Sequence, residues 1–255
     1  MLLNIWNTFL YEPLINALAF LVSIIPGGDL GIAVIFLTIF VKLALFPLSQ
    51  KSIKNQAAMN MLAPELEKIK KSGGSREEQA RLTFELYKKH KTNPFSGCLL
   101  VLIQIPIIFA LYFVFLKGIK FDGGLLYSFV HVPEHINTMF LGLIDVSQKS
   151  LVLAILAAVS QYFQAYFMPK LASSSGNTGS FQESFAKSMQ MQMKYIFPVF
   201  IFIILYTDFL GVSLSGAIAL YWITSNIFAI GQQIYVNKTE RKVLDKEVEI
   251  LIKEK

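Results

Sequence analysis

Charge is scarce in this chain. Only 16% of its 255 residues are Asp, Glu, Lys or Arg, against roughly a quarter in soluble domains. A globule of this size needs more charge to cover its surface, so an ordinary soluble enzyme is excluded, and a disordered chain with it. Cysteine is limited to Cys98, which removes a disulfide framework and any cysteine-based metal site. The three histidines, His90, His131 and His135, leave little for a histidine cluster. No phosphate-binding glycine loop, nucleotide fingerprint or acid–base pair is present, so neither an enzyme nor an ATP-driven pump is expected, and no metal or other cofactor. Sequence-specific nucleic-acid recognition falls with the same balance. What abounds is apolar: 54% hydrophobic residues, 22 of them phenylalanine, and a mean hydropathy of +0.53. That is the composition of an integral membrane protein.

A membrane-crossing helix needs about 20 mostly apolar residues. Four stretches qualify, 30–48, with Lys42 as its one charge, 97–116, 150–168 and 214–236, and a shorter fifth lies at 195–210. The last two form a helical hairpin turned at Asp208, Gly211 and Ser213. Residues 1–25 differ. Asn4, Asn7, Thr8, Tyr11, Glu12 and Asn16 recur at helical spacing opposite Leu2, Ile5, Trp6, Phe9 and Leu10, which predicts an amphipathic helix lying in the membrane interface. A signal peptide would carry Lys or Arg before its apolar core, and this segment has none, so it is expected to be retained.

Lys and Arg counts orient the spans. The connecting segment 49–96 carries ten of them, 117–149 and 169–194 carry three each, and the tail 237–255 carries six. Alternation puts 19 on one side and three on the other. The N-terminus is therefore expected outside and the C-terminus in the cytosol. Within 49–96, apolar residues recur on both sides of Ser72-Gly73-Gly74-Ser75, which predicts a cytosolic antiparallel helical hairpin. Segments 117–149 and 169–194 are expected as an extracytoplasmic and a cytosolic loop.

Lys42 stands out. A lysine well inside a span costs about 2.5–3.5 kcal/mol on insertion scales and faces water or a partner. Snorkelling to the cytosolic side accounts for it equally well when it is taken alone. Its neighbours favour a cavity. Thr38 lies one turn earlier on the same face, Gln104 interrupts the second span, and Ser160, Gln161 and Gln164 sit in the third. Trp222, Ser225, Asn226, Gln232 and Gln233 sit in the fifth. One such residue is ordinary interhelical glue. Four spans carrying them beside a lone cation suggest a wet, positive recess open to the cytosol, at a depth where only a lined cavity tolerates water. An inverted repeat, as in many transporters, is not seen.

The motif Asn93-Pro94-Phe95-Ser96-Gly97-Cys98, with Ile103-Gln104-Ile105-Pro106-Ile107 and Ala110-Leu111-Tyr112, resembles a core helix of the YidC-type membrane protein insertases. So does Ser215-Gly216-Ala217-Ile218-Ala219-Leu220-Tyr221-Trp222-Ile223, with Ser225-Asn226 and Gln232-Gln233. Thr38-Ile39-Phe40-Val41-Lys42, ending in Phe46-Pro47-Leu48, is similar to the family's first core helix, and the likeness runs from about residue 4 to 237. The resemblance implies an all-α membrane protein: five transmembrane helices around a cytosol-open polar groove, an interfacial N-terminal helix and a cytosolic hairpin.

It also implies insertion and chaperoning of nascent membrane proteins into the lipid bilayer without nucleotide hydrolysis, with the Sec translocon and the ribosome as possible partners, in a bacterial inner membrane. Lys42 takes the place of the family's usual groove arginine; Thr38, Tyr221 and Trp222 fall on groove positions, and Gln161 or Gln164 joins them. Gln104, Ser225 and Asn226 complete the expected lining. Two features depart from longer relatives: only 29 residues precede the first core helix, and the tail, six basic against five acidic residues, lacks a long basic extension. Two other classes fit the composition alone, an anion channel selected by Lys42 and a scaffold that acts through the hairpin.

Overall fold

The computed structural model describes residues 6–90, 92–93, 96–116, 126–131, 133, 135–168, 188, 190–208 and 213–253. It is mostly helical. Helix α1 (Asn7–Ile24) opens with a π-helical turn, and a tight turn at Pro26–Gly28 leads into α2 (Leu30–Ala44). Then come α3 (Phe46–Met61), α4 (Ala63–Lys71), α5 (Arg76–Lys89) and α6 (Ser96–Leu116). Two short strands, β1 (Met139–Phe140) and β2 (Ile144–Asp145), pair antiparallel before α7 (Leu151–Phe167). Helices α8 (Gln192–Tyr206) and α9 (Gly216–Lys253) complete the order.

One element differs from expectation for a local reason. The single helix expected over 30–48 ends at Ala44, and the chain bends by 62° before continuing as α3. Pro47 has no N–H to return to the carbonyl of Leu43, so the ladder stops at Leu45 and restarts beyond it. Helix α9 runs 38 residues unbroken, through the span expected over 214–236 and on through the tail to Lys253. No Gly or Pro follows Gly231 to stop it. Between α6 and α7 lies the short β1–β2 ladder, in which Met139 faces Asp145 and Phe140 faces Ile144.

Buried Asp29 organises the entry to α2. Its Oδ1 accepts from the N–H of Ile32 at 3.0 Å, capping the helix, and its Oδ2 accepts from the N–H of Leu141 at 2.8 Å, pinning the β1–β2 turn. Gly28 makes that closeness possible: at φ 62° its ideal Cβ would lie 2.4 Å from the carbonyl oxygen of His135. At the other end of the molecule, α4 and α5 pack together around a turn with Gly73 at φ 72°. Ser75 caps α5, accepting from Glu78 N–H at 3.2 Å. His90, just past α5, lies 3.8 Å from Glu65 near the start of α4, so the two helices run antiparallel.

Helix α9 packs along α7 and α2, α8 packs on α7, and α1 packs on α2 and α6. Ala33, Ala154, Ala157 and Ala217 are fully buried in the core, and small residues of this kind let helices approach closely. The outward faces are just as apolar. Phe36 and Phe40 of α2, Phe109 and Phe113 of α6, and Ile155, Val159 and Phe163 of α7 are all exposed. Among the described residues, Asn7–Ile24 is the one helix long and apolar enough to cross a membrane alone, and the bent pair α2–α3 makes a second if counted as one span. The polar stripe of α1 divides. Asn7 and Thr8 are exposed, whereas Tyr11 and Asn16 are buried. Asn4, Pro94, Phe95 and most of 169–194 lie outside the described residues.

Candidate functional site

The polar residues of the apolar helices gather into three ties. The first joins α2 to α6: the half-buried Lys42 donates from Nζ to Gln104 Oε1 at 3.1 Å. No carboxylate pairs with Lys42 among the described residues, so its one described partner is a neutral amide. Thr38, one turn earlier, is 2% exposed, and its hydroxyl donates to the carbonyl of Val34 at 2.6 Å. It lines the same helix face but is satisfied within its own helix.

The second tie joins α7 to α9 and centres on the buried Gln161. Its Oε1 accepts from Trp222 Nε1 at 2.8 Å and from Asn226 Nδ2 at 3.3 Å. Its Nε2 donates to Gln164 Oε1 at 3.0 Å. Asn226 also donates to Ser160 Oγ at 3.0 Å, and that hydroxyl donates to the Ala157 carbonyl at 2.8 Å. Tyr221 and Ser225, neighbours on α9, are buried with them. Among the described residues no hydrogen bond connects this group to the Lys42–Gln104 pair. The hydrogen-bonded residues of the expected groove lining thus fall into two clusters on different helix pairs.

The third tie joins α9 to the α2–α3 bend. Gln232 donates from Nε2 to the Phe46 carbonyl at 3.2 Å and to Ser49 Oγ at 2.6 Å, while its Oε1 lies 2.9 Å from the same hydroxyl. Gln232 stands out in the sequence as a polar residue in an apolar run, but nothing there marks Ser49 as its partner across 183 residues. A further contact has a legible signal. Lys194 lies 5.7, 5.1 and 5.2 Å from the ring centres of Tyr162, Tyr166 and Tyr195, and Tyr162 and Tyr166 stand one helical turn apart. This cage fastens the start of α8 to the end of α7.

A cavity of about 440 Å³ lies away from Lys42, between the loop before α7 and the start of α9, with Ser147, Lys149, Ser213 and Ser215 on its walls. Lys149 pairs with Asp208 just past the end of α8. The Lys149 hydrogen bond is the chief cause that holds the Asp208 carboxyl below the usual carboxylate range. Asp145 is lowered too, first by the hydroxyl of Ser147, which donates to it at 2.6 Å. On α5, burial pushes the Tyr87 phenol up. Among the described residues no three His, Cys, Asp or Glu side chains converge as a metal site would need.

The model of the family described as 60Kd inner membrane protein matches residues 20–243. The chain is 31% identical to the membrane protein insertase YidC of Fusobacterium nucleatum over 91% of its own length and 98% of that protein. To the protein of the same name from Clostridium tetani it is 33% identical over 92% of its length and 95% of the relative. The YidC of Magnetococcus marinus is 32% identical, but the chain spans only 36% of it. A crystal structure of an active YidC insertase with its first transmembrane domain resolved is similar over 79% of this chain and 40% of that one, at TM-score 0.48 and 23% identity.

Proposed function

Because the chain belongs to the 60Kd inner membrane protein family, that of the YidC-type insertases, we propose that it is a membrane protein insertase and chaperone. It takes nascent membrane proteins from the cytosol and delivers them into the bilayer. No covalent bond changes and no nucleotide is hydrolysed. Helices α2, α6, α7, α8 and the first part of α9 cross the membrane, with α3 to α5 standing in the cytosol as a hairpin. The exposed phenylalanines of α2 and α6 support this, since water leaves no such continuous apolar surface on a monomer. Helix α1 lies in the outer interface. Asn16, near its middle, accepts from the N–H of Tyr127 at 2.6 Å, and Tyr127 belongs to the connection beyond the outer end of α6; a crossing α1 would bring its middle to the bilayer centre instead.

The observation that carries the mechanism is Lys42, a half-buried cation on an apolar helix whose described partner is the neutral Gln104. A charge held so, in a groove open to the cytosol, attracts the acidic or polar tail of a client and admits it part of the way into the membrane. The client's apolar helix then leaves along α7 and α9 into lipid. Burying about 20 apolar residues releases far more free energy than one groove charge contributes, so the charge governs access and the lipid sets direction. Thr38, Gln104, Gln161, Gln164, Tyr221, Trp222, Ser225 and Asn226 line the groove or hold its walls in register. The Sec translocon and the ribosome are the expected partners, and a bacterial inner membrane with the N-terminus outside is the expected setting.

The test is insertion by the purified chain in liposomes, using a client with an acidic translocated tail. Wild type and Lys42→Arg insert it, and Lys42→Ala and Lys42→Glu do not. Equal insertion by all four sinks the electrostatic mechanism. No insertion by any of them shows that a partner is required.

A further inference from the structure

The turn between β1 and β2 combines a strained backbone with an exposed apolar tip. Leu141 is the one non-glycine residue described with positive φ, at 52°, and Gly142 follows at 70°. In that region an L side chain crowds the carbonyl, and Asn or Gly is the usual occupant. Yet Leu141 is 61% exposed, and Leu143 is 79% exposed, more than any other large apolar side chain described. A hairpin turn of this shape needs no leucine. The chemistry of the two side chains, rather than the backbone, has to account for them.

Their position is fixed. The Leu141 N–H is held by Asp29, which also caps α2. Phe140 lies so close to the first turn of α2 that a Cβ on Gly31 would stand 2.4 Å from its ring. The turn is therefore fastened at the level where α2 begins its apolar run at Leu30. If α2 crosses the bilayer, that level is the boundary between headgroups and hydrocarbon.

We propose that Leu141-Gly142-Leu143 is a lipid anchor: the two leucines enter the interfacial zone of the outer leaflet and hold β1, β2 and the start of α2 at a fixed depth. Lipid is the occupant that fits. From Met139 to Ile144 there is no charged or polar side chain, whereas a protein docking site carries a polar rim. The anchor rests on α2 crossing the membrane, not on insertase activity.

The test uses the full chain carrying Cys98→Ser and one new cysteine, Leu143→Cys, Ser147→Cys or Phe36→Cys. Each is labelled with an environment-sensitive fluorophore in phosphatidylcholine–phosphatidylglycerol vesicles containing lipids spin-labelled at shallow or deep positions. The Leu143 label is blue-shifted and quenched at least about twofold more by shallow than by deep spin labels, as a group in the headgroup–acyl boundary should be. The Phe36 label is quenched by deep ones, and the Ser147 label by neither. A Leu143 label that reports water while the Phe36 label is quenched overturns the anchor, leaves the membrane-crossing α2 standing and turns the tip over to a protein partner. If both labels report water, the membrane reading of α2 fails and the anchor fails with it.

Discussion

Gln161 uses both ends of its amide, accepting from Trp222 and Asn226 and donating to Gln164. Removing one donor leaves the others paired, so Trp222→Phe should cost about 0.6 kcal/mol, the average for an interhelical hydrogen bond in a membrane protein. Removing Gln161 takes the acceptor from the half-buried Trp222 N–H and one of the two acceptors from Asn226, and Gln161→Leu should cost about 2 kcal/mol. Unfolding in detergent micelles measures both, and equal losses would contradict the hub. Asp208 gives a pH test. Its folded pKa is lowered, chiefly by Lys149, so the pair contributes fully above the unfolded carboxylate value of about 3.9. That contribution is lost as pH falls through the lower folded value. Melting temperature should therefore fall more steeply below about pH 4 in wild type than in Asp208→Asn; superimposable profiles would remove the pair from the account. The presence of Lys42, Gln104, Gln161 and Asn226 in apolar helices is legible from sequence. Their partition into an α2–α6 pair and an α7–α9 cluster is not, because residues 61 or 62 apart are matched by helix packing alone.

At the scale of elements the bend between α2 and α3 matters most. Pro47 breaks the ladder at the Leu43 carbonyl, and just beyond the break Gln232 donates to the Phe46 carbonyl and holds Ser49. The angle between α2 and α3, and with it the placement of the α4–α5 pair, is thus tied to α9. Gln232→Leu should broaden the distance between spin labels on Lys88 of α5 and Ile227 of α9, and an unchanged distribution would show that Pro47 alone sets the angle. Glycines supply a second comparison. Gly73 sits at φ 72° with open space where a Cβ would go, whereas Gly28 at φ 62° faces the His135 carbonyl at 2.4 Å. Gly73→Ala should cost about 1 kcal/mol of backbone strain and leave insertion intact. Gly28→Ala should cost clearly more in the same micelle unfolding assay, since backbone has to move; equal costs would mean the β1–β2 region yields freely. The sequence marks Gly73 as a turn, while the demand at Gly28 comes from a loop more than 100 residues away.

The molecule as a whole has apolar faces both inside and outside. One set is buried around fully enclosed alanines, and the other, from Phe36 to Phe163, is exposed. In a series of outward substitutions, Phe40→Ser and Phe113→Ser should lower the yield of folded protein in bilayers far more than in detergent; equal yields in both would argue against lipid contact on those faces. Composition and periodicity by themselves determined a mostly helical membrane chain, because a deficit of charge and runs of about 20 apolar residues leave few other solutions. They also determined which polar residues are out of place, because each is costly where it stands. Only the tertiary structure decided which of them meet, where α2 stops, that α9 runs on to Lys253, and that Asp29 fastens the β1–β2 turn to the start of α2. These depend on contacts between residues far apart in the chain, and local sequence carries no term for a partner that packing alone brings near.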